Sequence, residues 1–338
     1  MEKRMDIVCM GMALVDSIIK GFDPNPVSAS GYRAVSGSLN VGGEAVNEAM
    51  TASKLGMKVS IVCSLGPDDA GDMVLATLTR LGVDTASVIR SSEHPTPVTT
   101  MFVNDDGTRK SITNHSHKYN FHPEKYHESF TGTRALILGS LFRAPFDDPG
   151  IIHEVLNTAK KAGVVVFADT KLPNFRKISL DDIKGSLDLI DFLTPNEDEA
   201  KFFSGKDDPD EMADVFLNYG VKNVVIKLGS KGCFFKNKDG IIKLPAFNIN
   251  AVDATGAGDS FVAGMAGELL HGFALEQSKE MIMKMMDKYV SGKADSRIFS
   301  ALVFGNACGA VCTTAVGAGT AIKDRRQILD FLEKNSCI

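Results

Sequence analysis

The stretch Asp253-Ala-Thr-Gly-Ala-Gly-Asp-Ser-Phe261 leads into a run of small and apolar residues, Val262-Ala-Gly-Met-Ala-Gly-Glu-Leu-Leu270, that predicts a helix. The glycines let backbone N–H groups approach an anion, and the helix N-terminus adds the positive end of its dipole. Asp259 lies in the first turn, where it can remove a proton from a hydroxyl while the amides neutralise charge on a phosphoryl group. Alternatively, Asp259 is a simple N-terminal carboxylate favoured by the dipole. The predicted anion-binding amides are those of Gly256, Ala257 and Gly258.

Outside this stretch, short β-branched runs alternate with helical patterns. The helical patterns at 44–55 and 68–81 each end before a glycine, which accepts the left-handed conformation that closes a helix. Runs that are apolar on both faces suit parallel strands covered on each side. The sequence therefore predicts a three-layer α/β/α domain with a mostly parallel central sheet. The predicted strands are 7–10, 59–63, 135–138, 164–167 and 224–227.

Two segments interrupt the alternation. Residues 17–39 are rich in Gly, Pro and Ser, and residues 97–116 contain two alternating runs joined by Asn104-Asp-Asp-Gly107, a hairpin signal. Neither segment is long enough to be stable alone. We expect them to form a small β-sheet lid over the mouth of a single domain that spans residues 1–338.

The composition is that of an ordinary globular protein. A formal charge of −5 over 338 residues argues against nucleic acid or an anionic membrane as the main partner. No apolar run approaches the roughly 20 residues that cross a bilayer, and the start of the chain carries no secretion pattern. The six cysteines have no framework spacing, which predicts free thiols and a cytoplasmic location.

The string ending at Asp259 closely resembles the C-terminal signature of the ribokinase-like (PfkB-type) carbohydrate kinases, and further resemblances follow in order along nearly the whole chain. The family's members have an α/β fold with a β-sheet lid and use ATP and Mg²⁺. In that signature the last Asp is the base and the glycine amides form the anion hole. The other matching segments are Gly11-Met-Ala-Leu-Val-Asp16, Val41-Gly-Gly-Glu-Ala-Val-Asn47, Thr194-Pro-Asn-Glu-Asp-Glu199, Lys227-Leu-Gly-Ser-Lys-Gly232 and Gly305-Asn-Ala-Cys-Gly-Ala310.

The resemblance assigns roles to residues of these segments. It implies that Asp16, at the end of the first strand, and Gly42, Gly43 and Asn47 bind the sugar. It implies nucleotide contacts at Asn196, Lys227, Gly229, Gly232, Thr255 and Asn306. Mg²⁺ is expected near Asn196 and Glu199, through water, and a K⁺ site at Asp253 with help from the Ala315-Val-Gly-Ala318 turn.

The same residues allow plainer interpretations. Asn196 and Glu199 fit a helix capping box as well as a metal site, and both roles are compatible. Asp16 alone fits a turn carboxylate, and the pair Gly42-Gly43 fits an ordinary loop. His115 and His117 lack a third ligand, so we interpret them as lid residues. The remaining groups, Cys308, Cys312, Met281, Met283, Met285 and Met286, are typical of helix packing.

These observations predict an ATP-dependent kinase that phosphorylates a hydroxymethyl group of a small sugar. One alternative is a nucleoside kinase, with Phe102 or Tyr119 stacking on a base; another is a non-catalytic sugar sensor. We also expect a homodimer joined through apolar lid residues, with Ile18, Val27, Val98 and Met101 as candidates.

Two departures from the family pattern bear on the choice of substrate rather than on the reaction. Thr170-Lys-Leu is inserted after Asp169, and residues 278–297 form an additional charged helical stretch.

Overall fold

The computed structural model describes residues 4–21, 34–103, 109–114, 121–174, 176–293 and 295–335. The predicted hairpin turn at 104–107 lies outside these residues. So do Val27, His115, His117, Tyr119 and Cys337.

The strands alternate with helices, as the hydrophobic pattern predicts. The strands are β1 (Ile7–Met10), β2 (Leu14–Lys20), β3 (Ser36–Gly42), β4 (Val59–Val62), β5 (Ser64–Leu65), β6 (Ile89–Arg90), β7 (Val98–Val103), β8 (Arg109–Thr113), β9 (Ala135–Leu141), β10 (Val165–Thr170), β11 (Phe192–Leu193), β12 (Asn223–Lys227), β13 (Cys233–Asn237), β14 (Gly240–Leu244) and β15 (Val290–Gly292). The helices are α1 (Glu44–Lys54), α2 (Asp69–Arg80), α3 (Pro149–Lys161), α4 (Lys184–Leu187), α5 (Glu197–Ser204), α6 (Pro209–Asn218), α7 (Ala257–His271), α8 (Phe273–Gln277), α9 (Lys279–Tyr289), α10 (Ser296–Cys312) and α11 (Arg325–Lys334).

A nine-stranded sheet forms the centre of the molecule, in the order β15-β14-β13-β12-β11-β10-β9-β1-β4. The six strands from β12 to β4 are parallel, and β13, β14 and β15 add antiparallel pairs at one edge. Along β1, Ile7 and Cys9 enter one core, and Val8 and Met10 enter the other. This alternation arises because successive side chains point to opposite faces of a sheet.

Helices cover both faces of this sheet. The first core contains residues of α1, α2, α7, α9, α10 and α11, and the second contains residues of α3, α4, α5 and α6. Helices α7 and α10 pack closely because the residues at their contact are small. A Cβ at Gly264 would lie 2.6 Å from Sγ of Cys308. Cys308 and Cys312 are therefore packing residues, as predicted. The predicted three-layer α/β/α class is confirmed.

A separate four-stranded sheet, hereafter the small sheet, has the order β3-β2-β7-β8. Its strands β2 and β3 reach from Leu14 to Gly42 and so extend three residues beyond each end of the predicted 17–39 segment. The position expected for Asp16 was wrong: it is the third residue of β2 in the small sheet, not the end of the first main-sheet strand. The chain leaves the main sheet at Gly11, where a φ of 154° places a glycine against Gly139.

The 278–297 stretch is only partly helical. Helix α9 is followed by β15, which pairs with β14 and becomes the last strand of the main sheet. Ile282 and Met285 of α9 are buried, whereas Met283 is 43% exposed. The stretch therefore extends the domain's own core.

Candidate active site

The start of α7 faces the carboxyl ends of the central parallel strands. Gly256 precedes the helix with a φ of 75°, and a Cβ there would lie 2.5 Å from Cβ of Ala318, so the turn requires glycine. A Cβ at Gly258 would lie 3.2 Å from Nζ of Lys227. The first amides of α7 therefore lie next to the ammonium group of Lys227, an arrangement that suits an anion.

Asp259 is buried in the first turn of α7, with 6% of its surface exposed. Its Oδ2 accepts a 2.7 Å hydrogen bond from Nδ2 of Asn47 in α1. Burial raises the pKa of Asp259 to about 6, with Glu44 and Asp169 adding to the rise and Lys171 and Asn47 opposing it. A carboxylate with a pKa near 6 is ionised at neutral pH yet basic enough to accept a proton.

Asp169, at the end of β10, binds the ammonium of Lys227, at the end of β12. Their Nζ–Oδ1 distance is 2.5 Å, and the hydroxyl of Thr194 donates to the same oxygen at 2.9 Å. Asp169 is 1% exposed. The pair fixes Lys227 beside Gly258 because a buried carboxylate holds its ammonium partner strongly.

A second ion pair joins Glu44, the first residue of α1, to Lys171 in the segment after β10. The nitrogen–oxygen distance is 3.4 Å, and Ser140 donates to the other Glu44 oxygen at 2.7 Å. Burial opposes ionisation, but Lys171 and Ser140 bring the pKa of Glu44 below its usual value. Ser140 has a φ of 67°, a conformation that a non-glycine residue rarely adopts outside constrained sites.

Glu48 lies one turn beyond Glu44 on the same helix face. It is 0% exposed, and one of its carboxylate oxygens lies within 4.8 Å of oxygens from both Asp169 and Asp259. Among the described residues, neither of its carboxylate oxygens has a hydrogen-bond partner. Burial, followed by the charges of Asp259 and Asp169, raises the pKa of Glu48 well above its usual value.

Helix α5 brings the predicted pair Asn196 and Glu199 to the rim of this cluster. The two residues form the expected capping box: Oδ1 of Asn196 accepts from the amide of Glu199, and Oε2 of Glu199 accepts from the amide of Asn196, both at 2.9 Å. Thr170 also donates to Oε2 of Glu199 at 2.9 Å. Burial, then Asp169, raises the pKa of Glu199.

The small sheet places Asp16 above α1. Paired side chains lie on one face of a sheet, so Asp16 shares its face with Asn40 and Thr99. A Cβ at Gly42 would collide with Oδ2 of Asp16, and Gly43, with a φ of 95°, lies against the backbone of Met12. Burial, then the charges of Glu44 and Asp253, raises the pKa of Asp16 to about 6.

A further group of predicted residues converges on Pro245, after β14. Gly232 has a φ of 99°, and a Cβ there would lie 2.5 Å from the carbonyl carbon of Pro245. Nδ2 of Asn306 donates to the Pro245 carbonyl oxygen at 2.8 Å. Gly229, with a φ of 58°, begins the turn between β12 and β13. Gly232 and Asn306 thus meet at Pro245, and Gly229 lies in the turn that follows Lys227.

Asp253 joins the start of the string to the turn after α10. Its Oδ1 accepts from the amide and hydroxyl of Thr255 at 2.9 and 2.6 Å, and its Oδ2 accepts from the amide of Gly317 at 2.9 Å. Burial alone would raise the pKa of Asp253, but these hydrogen bonds lower it. The 315–318 turn thus lies next to Asp253 and Thr255.

Comparisons with known proteins agree with this geometry. Residues 5–325 match the model of the pfkB family carbohydrate kinases. The chain belongs to this family. It is 28% identical over 302 residues to the ribokinase of Haemophilus influenzae, covering 86% of this chain and 87% of that one. It is 25% identical to the probable fructokinase-2 of Arabidopsis thaliana, covering 97% and 95%.

Solved structures of ribokinases share the fold of this kinase. The Thermotoga maritima ribokinase has a TM-score of 0.72 at 26% identity, covering 97% of this chain and 99% of that chain. The Arabidopsis thaliana ribokinase, solved with ribose and ATP, has a TM-score of 0.78 at 24% identity, covering 98% and 99%. The predicted family is confirmed, and the protein is a phosphotransferase that acts on a sugar hydroxyl.

Part of the kinase's charged centre was not predicted from the sequence. The predicted site residues do not include Glu44, Glu48, Asp169 or Lys171, although each comes close to Asp259. Two signals pointed to them. Asp169 and Lys171 follow a buried strand, where ligands of open α/β sheets bind. Glu44 and Glu48 are four residues apart in a helix whose other residues up to Met50 are apolar or amide.

Proposed function

We propose that the protein transfers the γ-phosphoryl group of MgATP to a hydroxymethyl group of a small sugar, with Asp259 as the general base. The observation that supports this most strongly is the position of Asp259. It is a buried carboxylate with a pKa of about 6, in the first turn of a helix whose leading amides and neighbouring Lys227 suit a phosphate. A base and an anion site in one helical turn suit an attack of a hydroxyl on a phosphoryl group.

Each residue of the site has a task in this mechanism. Asp16 accepts hydrogen bonds from sugar hydroxyls, and Asn47 orients Asp259 through their 2.7 Å contact. Asp259 takes the proton as the sugar oxygen attacks. The amides of Gly256, Ala257 and Gly258 and the ammonium of Lys227 stabilise the charge of the transferring group.

The nucleotide is proposed to lie along Gly229, Gly232, Thr255 and Asn306, with its base beside the Pro245 segment. Asn196 and Glu199 fit a hydrated Mg²⁺, because Mg²⁺ retains several waters and needs few direct protein ligands. Both hydrogen bonds to the Glu199 side chain fall on Oε2. When bound, the metal neutralises phosphate oxygens. Asp253, Thr255 and the 315–318 turn fit a K⁺ site made of a carboxylate and backbone carbonyls.

The acceptor is proposed to be a sugar rather than a nucleoside. On the face of the small sheet that carries Asp16, the neighbouring paired residues include Asn40, Thr99 and Thr113, which suit hydroxyl groups. Phe102 pairs with Ile19 and lies on the opposite face, so it is poorly placed to stack on a base beside Asp16. The small sheet is proposed to act as a lid that excludes water.

A coupled ADP-release assay tests the proposal. Purified protein is given MgATP with ribose, fructose, ketodeoxygluconate, fructose phosphates or nucleosides, and with no acceptor. We expect ADP release that depends on a small sugar or sugar acid. Release with nucleosides alone would make the protein a nucleoside kinase. Sugar binding without release would make it a sensor.

We further propose a cytoplasmic homodimer joined through the small sheets. The five described cysteines are free and buried, which suits a reducing compartment. Among the described residues, no helix combines the length and apolar character that a membrane span requires.

The residues proposed to join the two small sheets differ from those expected from the sequence. Ile18 is only 6% exposed, whereas Leu39 and Ile112 are 60% and 70% exposed. Their row in the sheet, Leu39-Ser17-Thr100-Ile112, lies on the face opposite Asp16.

A further inference from the structure

Glu48 has a buried carboxylate that the proposed mechanism does not use. It is fully buried in α1, and among the described residues neither of its oxygens accepts a hydrogen bond. Leaving a buried polar group without a partner costs about 1–3 kcal/mol, and more for a charged group. Such a group is therefore retained where something else satisfies it.

The oxygens of Glu48 are directed at other carboxylates. One ligand oxygen from each of Glu48, Asp169 and Asp259 lies within 4.8 Å of the other two. Ligand oxygens on one hard divalent cation lie about 3–5 Å apart, from adjacent to opposite positions, since Mg²⁺–oxygen and Ca²⁺–oxygen distances are about 2.0–2.6 Å. The three oxygens are thus near enough to one another to be drawn onto one ion.

The balance of charge around these oxygens favours a cation. Five buried or nearly buried carboxyl groups interact here with two ammonium groups, those of Lys171 and Lys227, and with the guanidinium of Arg143, which acts on Glu44, so the ionised cluster has a deficit of two positive charges. The carboxyl groups are those of Glu44, Glu48, Asp169, Glu199 and Asp259. Lys227 is already engaged with Asp169 at 2.5 Å, and Lys171 with Glu44 at 3.4 Å. Neither ammonium group donates a hydrogen bond to Glu48.

We propose that Glu48, Asp169 and Asp259 bind a hard divalent cation directly, in the absence of nucleotide. This site is distinct from the Asn196–Glu199 helix, where the proposed Mg²⁺ accompanies ATP. Glu48 supplies two oxygens that nothing else satisfies, and a set of carboxylate oxygens is what such cations prefer.

Occupancy of this site has a consequence for the reaction, and this part rests on the role proposed for Asp259. A cation on Asp259 withdraws the electron pairs that accept the sugar's proton. Free cation in excess of the nucleotide therefore inhibits the enzyme. Removal of Glu48 from the set relieves this inhibition.

Manganese binding to the nucleotide-free full-length protein tests the site without any assay of activity. The chain is stripped with EDTA and desalted, and free Mn²⁺ is followed by electron paramagnetic resonance during titration. We expect one Mn²⁺ per chain, held more tightly at pH 8 than at pH 6 because carboxyl protons must leave. We expect at least a 10-fold weaker Kd in Glu48→Gln, which keeps the size of the side chain but not its charge.

Glu199→Gln is the matched control, because it removes a carboxylate from the same cleft but not from the proposed set. It should weaken the binding of nucleotide-free Mn²⁺ far less than Glu48→Gln does, because its charge acts on the ion only from a distance. If Glu48→Gln does not fold by circular dichroism, Asp169→Asn takes its place with the same expectation. The proposal is overturned if the wild type binds no stoichiometric Mn²⁺, or if the variant at position 48 (or its replacement at 169) binds it equally well. Either result leaves the sugar kinase proposal intact, since ADP release is measured separately.

Discussion

Nδ2 of Asn47 lies 2.7 Å from Oδ2 of Asp259, across 212 positions of the sequence. The contact connects the helix that follows the small sheet's β3 to the helix that begins the anion site. A hydrogen bond to a carboxylate favours its charged form, and here it opposes the rise in pKa that burial causes. Asn47, which the resemblance assigns to the sugar site, thus also lowers the pKa of the proposed base, Asp259.

This contact predicts the pH dependence of the reaction. A base with a pKa of about 6 is active when deprotonated, so kcat/KM should fall as the pH falls through about 6. Asn47→Ala removes the donor and should move this acidic limb up by about one pH unit, since a hydrogen bond to a charged group contributes about 1.5–3 kcal/mol and one unit is 1.36 kcal/mol. Rate profiles between pH 5 and 8 measure the shift.

Asn40→Ala is the control for that measurement. Asn40 lies on the Asp16 face of the small sheet, so its loss should raise KM for the sugar, whereas its amide donates to Ser38 and not to Asp259. Its acidic limb should match the wild type's. An unshifted limb in Asn47→Ala would mean that the contact does not control the base.

Asp259→Asn should lower kcat by about 10²–10⁴, the usual contribution of a general base. Nucleotide binding, followed with a fluorescent ATP analogue, should be retained because the amide keeps the shape of the side chain. The variant should also be more stable at pH 8, by on the order of 1–3 kcal/mol, because a buried carboxylate with a raised pKa destabilises the fold once it ionises. A kcat near the wild-type value would remove Asp259 from its role as base.

The fold was largely predictable because local pattern and topology agree. Runs such as Ile7–Met10 are apolar on both faces, and only a covered parallel sheet satisfies them. The position of Asp16 was missed because the chain crosses from one sheet to the other within three residues after Met10. The pattern of apolar residues does not mark this passage from the main sheet to the small sheet. Strand β15 was missed for a similar reason, since three residues are too few to show alternation.

The charged centre was less predictable because it depends on contacts far apart in sequence. The Gly-rich string and Asn47 carry their chemistry in local spacing. The pairing of Asp169 with Lys227 joins the ends of two strands. The lack of a hydrogen-bond partner for Glu48 depends on side chains that come from distant parts of the sequence. A sequence shows which charged residues follow buried strands, but it does not show which of them lack partners.

Glu199→Gln separates a structural role from a catalytic one. Gln at this position can still accept from the amide of Asn196 and so preserve the capping box. If Glu199 also organises the hydrated metal, the variant should need several-fold more Mg²⁺ for half-maximal rate and turn over more slowly. A Mg²⁺ titration of the rate at fixed ATP measures this. Glu211→Gln, in the exposed first turn of α6, is the matched control. An unchanged Mg²⁺ titration in Glu199→Gln would mean that Glu199 only caps helix α5.

Potassium should activate the enzyme modestly relative to sodium. Hydrogen bonds from Thr255 and Gly317 lower the pKa of Asp253 and so favour its ionised form, which leaves a negative charge at the proposed K⁺ site. Rates in KCl and NaCl at matched ionic strength measure the effect, and Asp253→Asn should reduce the difference. Identical rates in the two salts would contradict the K⁺ site.

The protein should be a dimer whose small sheets pack against each other. Leu39 and Ile112 lie in one row on the face away from Asp16, and both are more than half exposed, which leaves an apolar surface for a second copy to cover. Light scattering at micromolar concentration should give twice the chain mass of 36.3 kDa. The double variant Leu39→Ser, Ile112→Ser should shift the mass towards the monomer and lower the sugar affinity, because the opposite face of the same sheet carries Asp16. Phe202→Ser, which alters an exposed aromatic residue on α5, should leave the mass unchanged. A wild-type monomer at every concentration, with full activity, would show that one small sheet closes the site alone.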